Sequence, residues 1–276
     1  MTMNGETRLL PILGDPVRQA RAPLVWTGLF RANGVNAACL PVHVPPADLA
    51  GLVTGMRGIR NLIGIIVTVP HKPAASALAA RLLPRAARIG AVNVLRPEAD
   101  GSWTGDMLDG EGFVRGLRRA GQDLEGRRAL ILGAGGVGAA IASSLIGTGV
   151  AAIGIADQDP VRAAALVRRL EGAGIETAVA ASMARGFDLL VNATPLGLRP
   201  EDPLPFDTAQ LVPGTIVGDV VMGPTASRLV TLAREAGCFA QAGTVLMEEQ
   251  LPAIVEFFRL PSGDYGPEAV ARVIGA

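Results

Sequence analysis

Residues 129–146 constrain this chain more than any other stretch. The apolar run Ala129-Leu130-Ile131-Leu132 ends in Gly133-Ala134-Gly135-Gly136-Val137-Gly138, and small residues follow from Ala139 to Ile146. An apolar strand, a glycine-rich turn and a small-residue helix in that order open a dinucleotide-binding βαβ unit. The glycines permit a tight turn and let a pyrophosphate approach the helix N-terminus. The next apolar run, Ala152 to Ala156, ends at Asp157, 24 positions beyond Gly133. A carboxylate there accepts hydrogen bonds from the ribose hydroxyls and repels a 2′-phosphate. Gln158 and Asp159 follow and the next arginine is Arg162, so the sequence favours NAD over NADP. Asp159 can cap the helix that starts at Pro160, which leaves Asp157 for the ligand.

The uncharged run from Leu130 to Ala156 raises the question of a bilayer span, but Gly147, Gly149 and Gly154 divide it into strand, helix and strand. Twenty-five basic residues balance 25 acidic ones at a pI of about 6.8, so no field is built for nucleic acid or an anionic membrane. Any anionic ligand must be held by local groups. The N-terminal residues, Met1 to Arg8, lack a basic start followed by an apolar core, and the cytoplasm is the expected compartment. Cys39 and Cys238 have no partner spacing and read as reduced, buried residues; His43 and His71 belong to no ligand cluster, so no metal site is expected. Self-assembly is left open, with a homodimer as one option.

Short apolar runs alternate with helical stretches throughout, which predicts an α/β protein of two α/β domains with a cleft between them. Strands are expected at Leu9 to Leu13, Ala37 to Val44, Leu62 to Val67 and Ala91 to Leu95, with helices at Pro23 to Ala32, Ala47 to Met56 and Arg81 to Arg88. The expected division is a substrate domain over 1–108, a Rossmann-type domain over 109–242, and a helical segment over 243–276 that returns to the first domain. Within the second, Gly112 to Arg119 forms the connecting helix, Asp188 to Asn192 and Thr215 to Val220 form later strands, and Val245 to Phe258 is helical.

Two residues outside the nucleotide fingerprint carry chemistry. Lys72, in Thr68-Val69-Pro70-His71-Lys72, and Asp109, in Leu108-Asp109-Gly110, suggest an acid/base pair. A lysine transfers protons usefully only where its surroundings lower the cost of losing one, and a neighbouring carboxylate fixes its position and charge.

These residues resemble the shikimate dehydrogenase family, with its quinate-using relatives, from about Leu9 to about Phe258. The resemblance is carried by Gly14-Asp15-Pro16-Val17, Thr68 to Lys72, Gly90-Ala91-Val92-Asn93, Asp109-Gly110 with Gly112-Phe113, Gly133 to Gly136, Asn192 to Gly197, Asp219 to Pro224, and Gly243 with Gln250. It implies that Lys72 and Asp109 act on a substrate hydroxyl, that Asn93 and Gln250 bond neighbouring ring hydroxyls, and that Thr68 lines the pocket. It also implies that Asn192, Ala193, Thr194, Pro195 and Gly243 lie beside the nicotinamide.

The departures fall where the family grips its substrate. Its His-Ser-x-Ser-Pro segment, whose serines bind the substrate carboxylate, reads here Gln19-Ala20-Arg21-Ala22-Pro23, preceded by Arg18. Trp26 and Thr27 replace a histidine and an asparagine, Ile66 an asparagine, Met222 a tyrosine, and Met107-Leu108 the Asn-Thr before the catalytic aspartate. The expected activity is an NAD-preferring hydride transfer on a small shikimate- or quinate-like hydroxy acid, with Arg18 or Arg21 as candidates to hold the carboxylate. The alternatives are a shikimate or quinate dehydrogenase whose carboxylate is caught differently, and the same fold without the chemistry, a cofactor-bound sensor.

Overall fold

The structure is a computed structural model that describes residues 3–182, 185–223 and 225–275; Pro224, part of one matching segment, lies outside them. The chain divides into two compact units, one formed by residues 1–108 and 251–276, the other by 109–250.

The first unit contains β1 (Arg8–Gly14), α1 (Ala22–Ala32), β2 (Ala37–His43), α2 (Leu49–Gly55), β3 (Ile65–Val67), α3 (Lys72–Ser76), β4 (Arg81–Leu82), α4 (Pro84–Ile89), β5 (Val94–Pro97) and β6 (Trp103–Asp106). Its six-stranded sheet runs β2-β1-β3-β5-β6-β4; β5 is antiparallel to β3 and β6, and the other pairings are parallel. Trp26 and Phe30 lie on the buried face of α1 with ring centroids 5.6 Å apart, within a cluster that also takes Leu10, Ile66 and Leu108. Arg81 and Leu82, expected in a helix, instead pair with Thr104 and Gly105. The helix waits for Pro84, whose fixed φ and missing N–H suit its first turn. The apolar run Leu62 to Val67 pairs as a strand only from Ile65; Leu62 makes an isolated bridge to Leu9.

The second unit opens with α5 (Asp109–Arg119), followed by β7 (Arg128–Leu132), α6 (Gly136–Leu145), β8 (Ala152–Ala156), α7 (Pro160–Leu170), β9 (Glu176–Val179), β10 (Leu189–Asn192), β11 (Ile216–Asp219), α8 (Arg228–Glu235) and β12 (Phe239–Gln241). The sheet is parallel throughout, in the order β9-β8-β7-β10-β11-β12, which is the 3-2-1-4-5-6 order of the Rossmann fold. Near-continuous burial of β7, β8, β10 and β11 explains why these strands read as unbroken apolar runs.

The last elements are α9 (Gly243–Phe258) and α10 (Pro267–Ile274). The division expected at Gly243 falls instead at Leu251, inside α9 and next to Pro252, which leaves one carbonyl of the preceding turn without its helical donor. The reason is packing on α5. A side chain at Gly112 would meet the Leu246 carbonyl oxygen at 2.3 Å, so the first half of α9 lies directly against that helix. The second half supplies Leu251, Ile254, Phe257 and Phe258 to the apolar cluster of the first unit.

Candidate active site

In the second unit, reversal of strand order between β7 and β10 leaves a crevice beyond the carboxyl ends of those strands, the place where open α/β sheets take their ligands. It has a volume of about 360 Å³ and is lined by Gly133, Gly135, Asp157, Arg162, Thr194 and Pro195, among others. Gly133 turns the chain with φ +101°, and a side chain at Gly138 would meet the Gly133 carbonyl oxygen at 1.9 Å, so α6 packs directly on the turn. A side chain at Gly135 would meet only Arg162 Nη2, at 3.5 Å, and one at Gly136 would meet nothing within 4 Å. The loop is therefore open on the side where α6 begins, and its backbone N–H groups and helix dipole suit a pyrophosphate. Ala134 and Val137 belong to the same turn and first helical residues.

Asp157 follows β8 at the edge of this crevice. Its Oδ2 accepts from Ala134 N–H at 2.7 Å and its Oδ1 from Asp159 N–H at 2.9 Å. Burial pushes its pKa up, but the two backbone donors and the Arg162 charge outweigh that, and the net shift is downward. The group is thus an anion at neutral pH. Asp159 caps α7 by accepting from Val161 N–H at 2.9 Å, so capping does not consume Asp157.

On the other side of the switch point, Asn192 is fully buried at the end of β10. Its Oδ1 accepts from the backbone N–H and the hydroxyl of Thr194, at 3.1 and 2.6 Å; its Nδ2 donates to Leu196 O and to Asp219 Oδ1, each at 2.9 Å. Asp219 in turn accepts from Val221 N–H and from the hydroxyl of Ser227, the cap of α8. Burial raises the Asp219 pKa against the pull of these donors. The loop carrying Ala193, Thr194 and Pro195 is therefore set by side-chain bonds. Gly243, at the start of α9, has no room for a side chain beside the Val220 and Val221 carbonyls.

Asp109 is the first residue of α5, buried, with Oδ1 accepting from Gln250 Nε2 at 2.6 Å. The structure thus brings together two residues 141 positions apart in the chain.

In the first unit, Thr68 follows β3, Lys72 opens α3 and Asn93 precedes β5. Val67 N–H donates to Asn93 O at 2.7 Å, Val92 N–H donates to Lys72 O at 3.0 Å, and the buried Asn93 side chain accepts from Leu108 N–H at 2.9 Å. Thr68 and Lys72 are half-buried. Lys72 is the single lysine of the chain, while the other 24 basic positions are all arginine. Arg18 and Arg21 are exposed, whereas Ala20 and Ala22, on either side of Arg21, pack against the apolar cluster. Trp26, Ile66, Met107 and Leu108 are buried core residues, and Met222 is exposed. Both cysteines are free and buried, with Cys39 pushed up to about 12 by burial.

Four residues have a hand in these sites that the sequence does not assign to them. Ser227 and Asp219 signal a helix cap and a strand end, with nothing to say that they bond each other. Arg162 is visible only as the first arginine after Asp157. His71, buried and next to Lys72, lies within a matching segment, but nothing in the sequence gives it a partner. Among the described residues there is no cluster able to hold a metal ion and no helix long and apolar enough to cross a membrane.

A family model described as the shikimate dehydrogenase substrate binding domain matches residues 12–95, and one described as the ThiF family matches 114–173. A shikimate dehydrogenase (NADP(+)) of Rubrobacter xylanophilus is 42% identical over 252 residues, covering 89% of this chain and 88% of that protein. The chain belongs to the shikimate dehydrogenase family. It is an oxidoreductase acting on a CH–OH group with a nicotinamide cofactor, and the open glycine loop fits that cofactor. Its fold is similar to that of shikimate 5-dehydrogenase from Listeria monocytogenes in complex with shikimate and NAD, at TM-score 0.90 and 27% identity, covering 99% of this chain and 98% of the other. It is also similar to ligand-free 5-ketofructose reductase of Gluconobacter sp. strain CHM43, at TM-score 0.88 and 26% identity, covering 99% of each chain.

Proposed function

We propose that this enzyme prefers NAD and moves a hydride between it and the hydroxyl-bearing carbon of a small shikimate- or quinate-like hydroxy acid. The observation that carries the reading is the single lysine. A chain that uses arginine at every other basic position keeps an amine at 72, and of the two only an amine can lose its proton at accessible pH. When bound, the nicotinamide accepts or supplies the hydride. In the oxidising direction Lys72 Nζ takes the hydroxyl proton, and Asp109, held by Gln250, sets the position and charge of that amine. Asn93 and Gln250 bind ring hydroxyls, and Thr68 lines the pocket. Gly133 to Gly138 hold the pyrophosphate, Asp157 the adenosine ribose, and Asn192 to Pro195 with Gly243 the nicotinamide half.

The preference for NAD rests on the Asp157 anion, which would face a 2′-phosphate. Use of NADP is the second reading, favoured by Arg162 in the same crevice and by the NADP-dependent relatives. The test is a turnover screen of hydroxylated ring acids, with a carboxylate-free keto sugar included because of the likeness to 5-ketofructose reductase, against NAD and NADP side by side. Turnover of a ring acid with NAD is the expected result. Cofactor binding without turnover of any compound would favour the sensor instead.

A further inference from the structure

Hydrogen bonds that begin or end within Val67 to Lys72 tie the turn that presents Lys72 to neighbouring strand ends. Those between backbone groups include Thr68 N–H to Leu13 O at 2.9 Å, Asp15 N–H to Val69 O at 3.1 Å, Val92 N–H to Lys72 O, and Val67 N–H to Asn93 O. Another belongs to a side chain. His71 is 1% exposed, and its Nε2 lies 2.8 Å from the carbonyl oxygen of Val44, just beyond the end of β2. A carbonyl only accepts, so Nε2 carries the hydrogen, and the ring is fixed in one tautomer against a buried partner.

His71 also precedes Lys72 directly as the cap residue of α3, a helix of five residues, and its own carbonyl accepts from Ala75 N–H at 2.8 Å. Rotation of the turn about its backbone ties would carry the Lys72 side chain with it, and the imidazole bond to Val44 opposes that rotation. The backbone bonds survive any substitution at position 71, whereas the imidazole bond is specific to the residue.

We infer that His71 is a positioning residue for Lys72, acting through the Val44 carbonyl to fix where the amine stands. It does not itself exchange protons with substrate. This inference rests on the reading of Lys72 as the acid/base group and adds to it the group that aims the lysine.

Because Lys72 is the only lysine, reductive methylation of the full-length protein with ¹³C-formaldehyde labels one side-chain amine besides the N-terminus, and its titration can be followed by NMR without any substrate. His71→Leu should move the Lys72 titration midpoint by about half a pH unit or more and cut kcat by roughly ten- to a hundredfold, with KM for the cofactor unchanged. His71→Gln, which returns an N–H donor of similar reach, should restore the midpoint and most of kcat. If His71→Leu lowers Tm but leaves midpoint and kcat at wild-type values, or if His71→Gln folds and restores neither, the inference fails. Should His71→Leu not fold, the His71→Gln result decides alone. Lys72→Ala is the control: retained turnover there would remove the acid/base reading itself, whatever His71 does.

Discussion

Asn192 and Asp219, at the carboxyl ends of adjacent parallel strands, are joined side chain to side chain by a 2.9 Å hydrogen bond in a place that neither shares with water. The same asparagine fixes Thr194, so the pair links the strand ends to the wall of the crevice beyond β7 and β10. Asn192→Ala should leave Asp219 short of a donor and cost about 2 kcal/mol of stability, while raising KM for the cofactor several-fold. Thermal unfolding and steady-state kinetics on one preparation check both; an unchanged KM would mean that the Thr194 loop is set by its backbone alone.

Asp219 also gives a pH dependence with a definite sign. Burial raises its folded pKa above the ordinary 3.8, so between that value and the folded one the native state binds more protons than the unfolded state. Its contribution to stability is present in full below 3.8 and is lost as pH rises through the folded pKa. Asp219→Asn should cancel this dependence. The stability difference, wild type minus variant, should therefore shift toward wild type as pH falls into the carboxylate range. Denaturant titrations across that range measure it, and a difference independent of pH would contradict the raised pKa.

Lys72→Ala should lower kcat by on the order of 10² to 10⁴ while the cofactor still binds, since acid/base assistance is of that size. Lys72→Arg should fare little better, because it keeps the charge and cannot release the proton. Asp109→Asn should be nearly as damaging as Lys72→Ala. Rescue of activity by arginine would show that charge, not proton transfer, is the contribution of position 72.

Wild-type kcat/KM should favour NAD over NADP by at least about tenfold, equal to roughly 1.4 kcal/mol. Asp157→Asn should erode that ratio. Arg162→Ala, which removes a cation from the crevice wall, should lower NADP efficiency more than NAD efficiency. Equal efficiencies for the two cofactors in the wild type would overturn the assignment made from Asp157.

Shikimate should be a poor substrate. Two charge-assisted hydrogen bonds contribute about 3 to 6 kcal/mol together, and Ala20 and Ala22 offer methyl groups turned to the core in place of hydroxyls. Arg18→Ala or Arg21→Ala should raise KM for the best carboxylate substrate about tenfold or more if a guanidinium has taken over the grip. No change in either variant would exclude both arginines, and efficient turnover of shikimate would refute altered specificity.

The Rossmann half was legible because its strands are buried on both faces and its turn needs glycine for steric reasons that leave a mark in sequence; Gly133 and Gly138 do what their spacing promised. The first unit was harder. β4, with two residues, and β6, ending at Asp106, carry too little pattern to stand out, and Arg81-Leu82 took on a helical look from the residues after Pro84. Among the substitutions at the substrate end, Trp26, Ile66, Met107 and Leu108 went to the core, a destination that residue type allowed but did not specify. Contacts set by tertiary structure alone, such as Asp109 with Gln250 or Asp219 with Ser227, leave no local periodicity to read.

The two units differ in how they are written along the chain. Residues 109–250 form one uninterrupted block, whereas the first unit draws part of its apolar cluster, including Leu251, Ile254, Phe257, Phe258, Tyr265 and Val270, from the far end of the chain. During synthesis the second unit can therefore close its core while the N-terminal strands, made earlier, still lack the residues that cover them. The usual order of N-terminal domain first is reversed, and the N-terminal strands are exposed to misassociation until the segment from Leu251 to Val270 has been made.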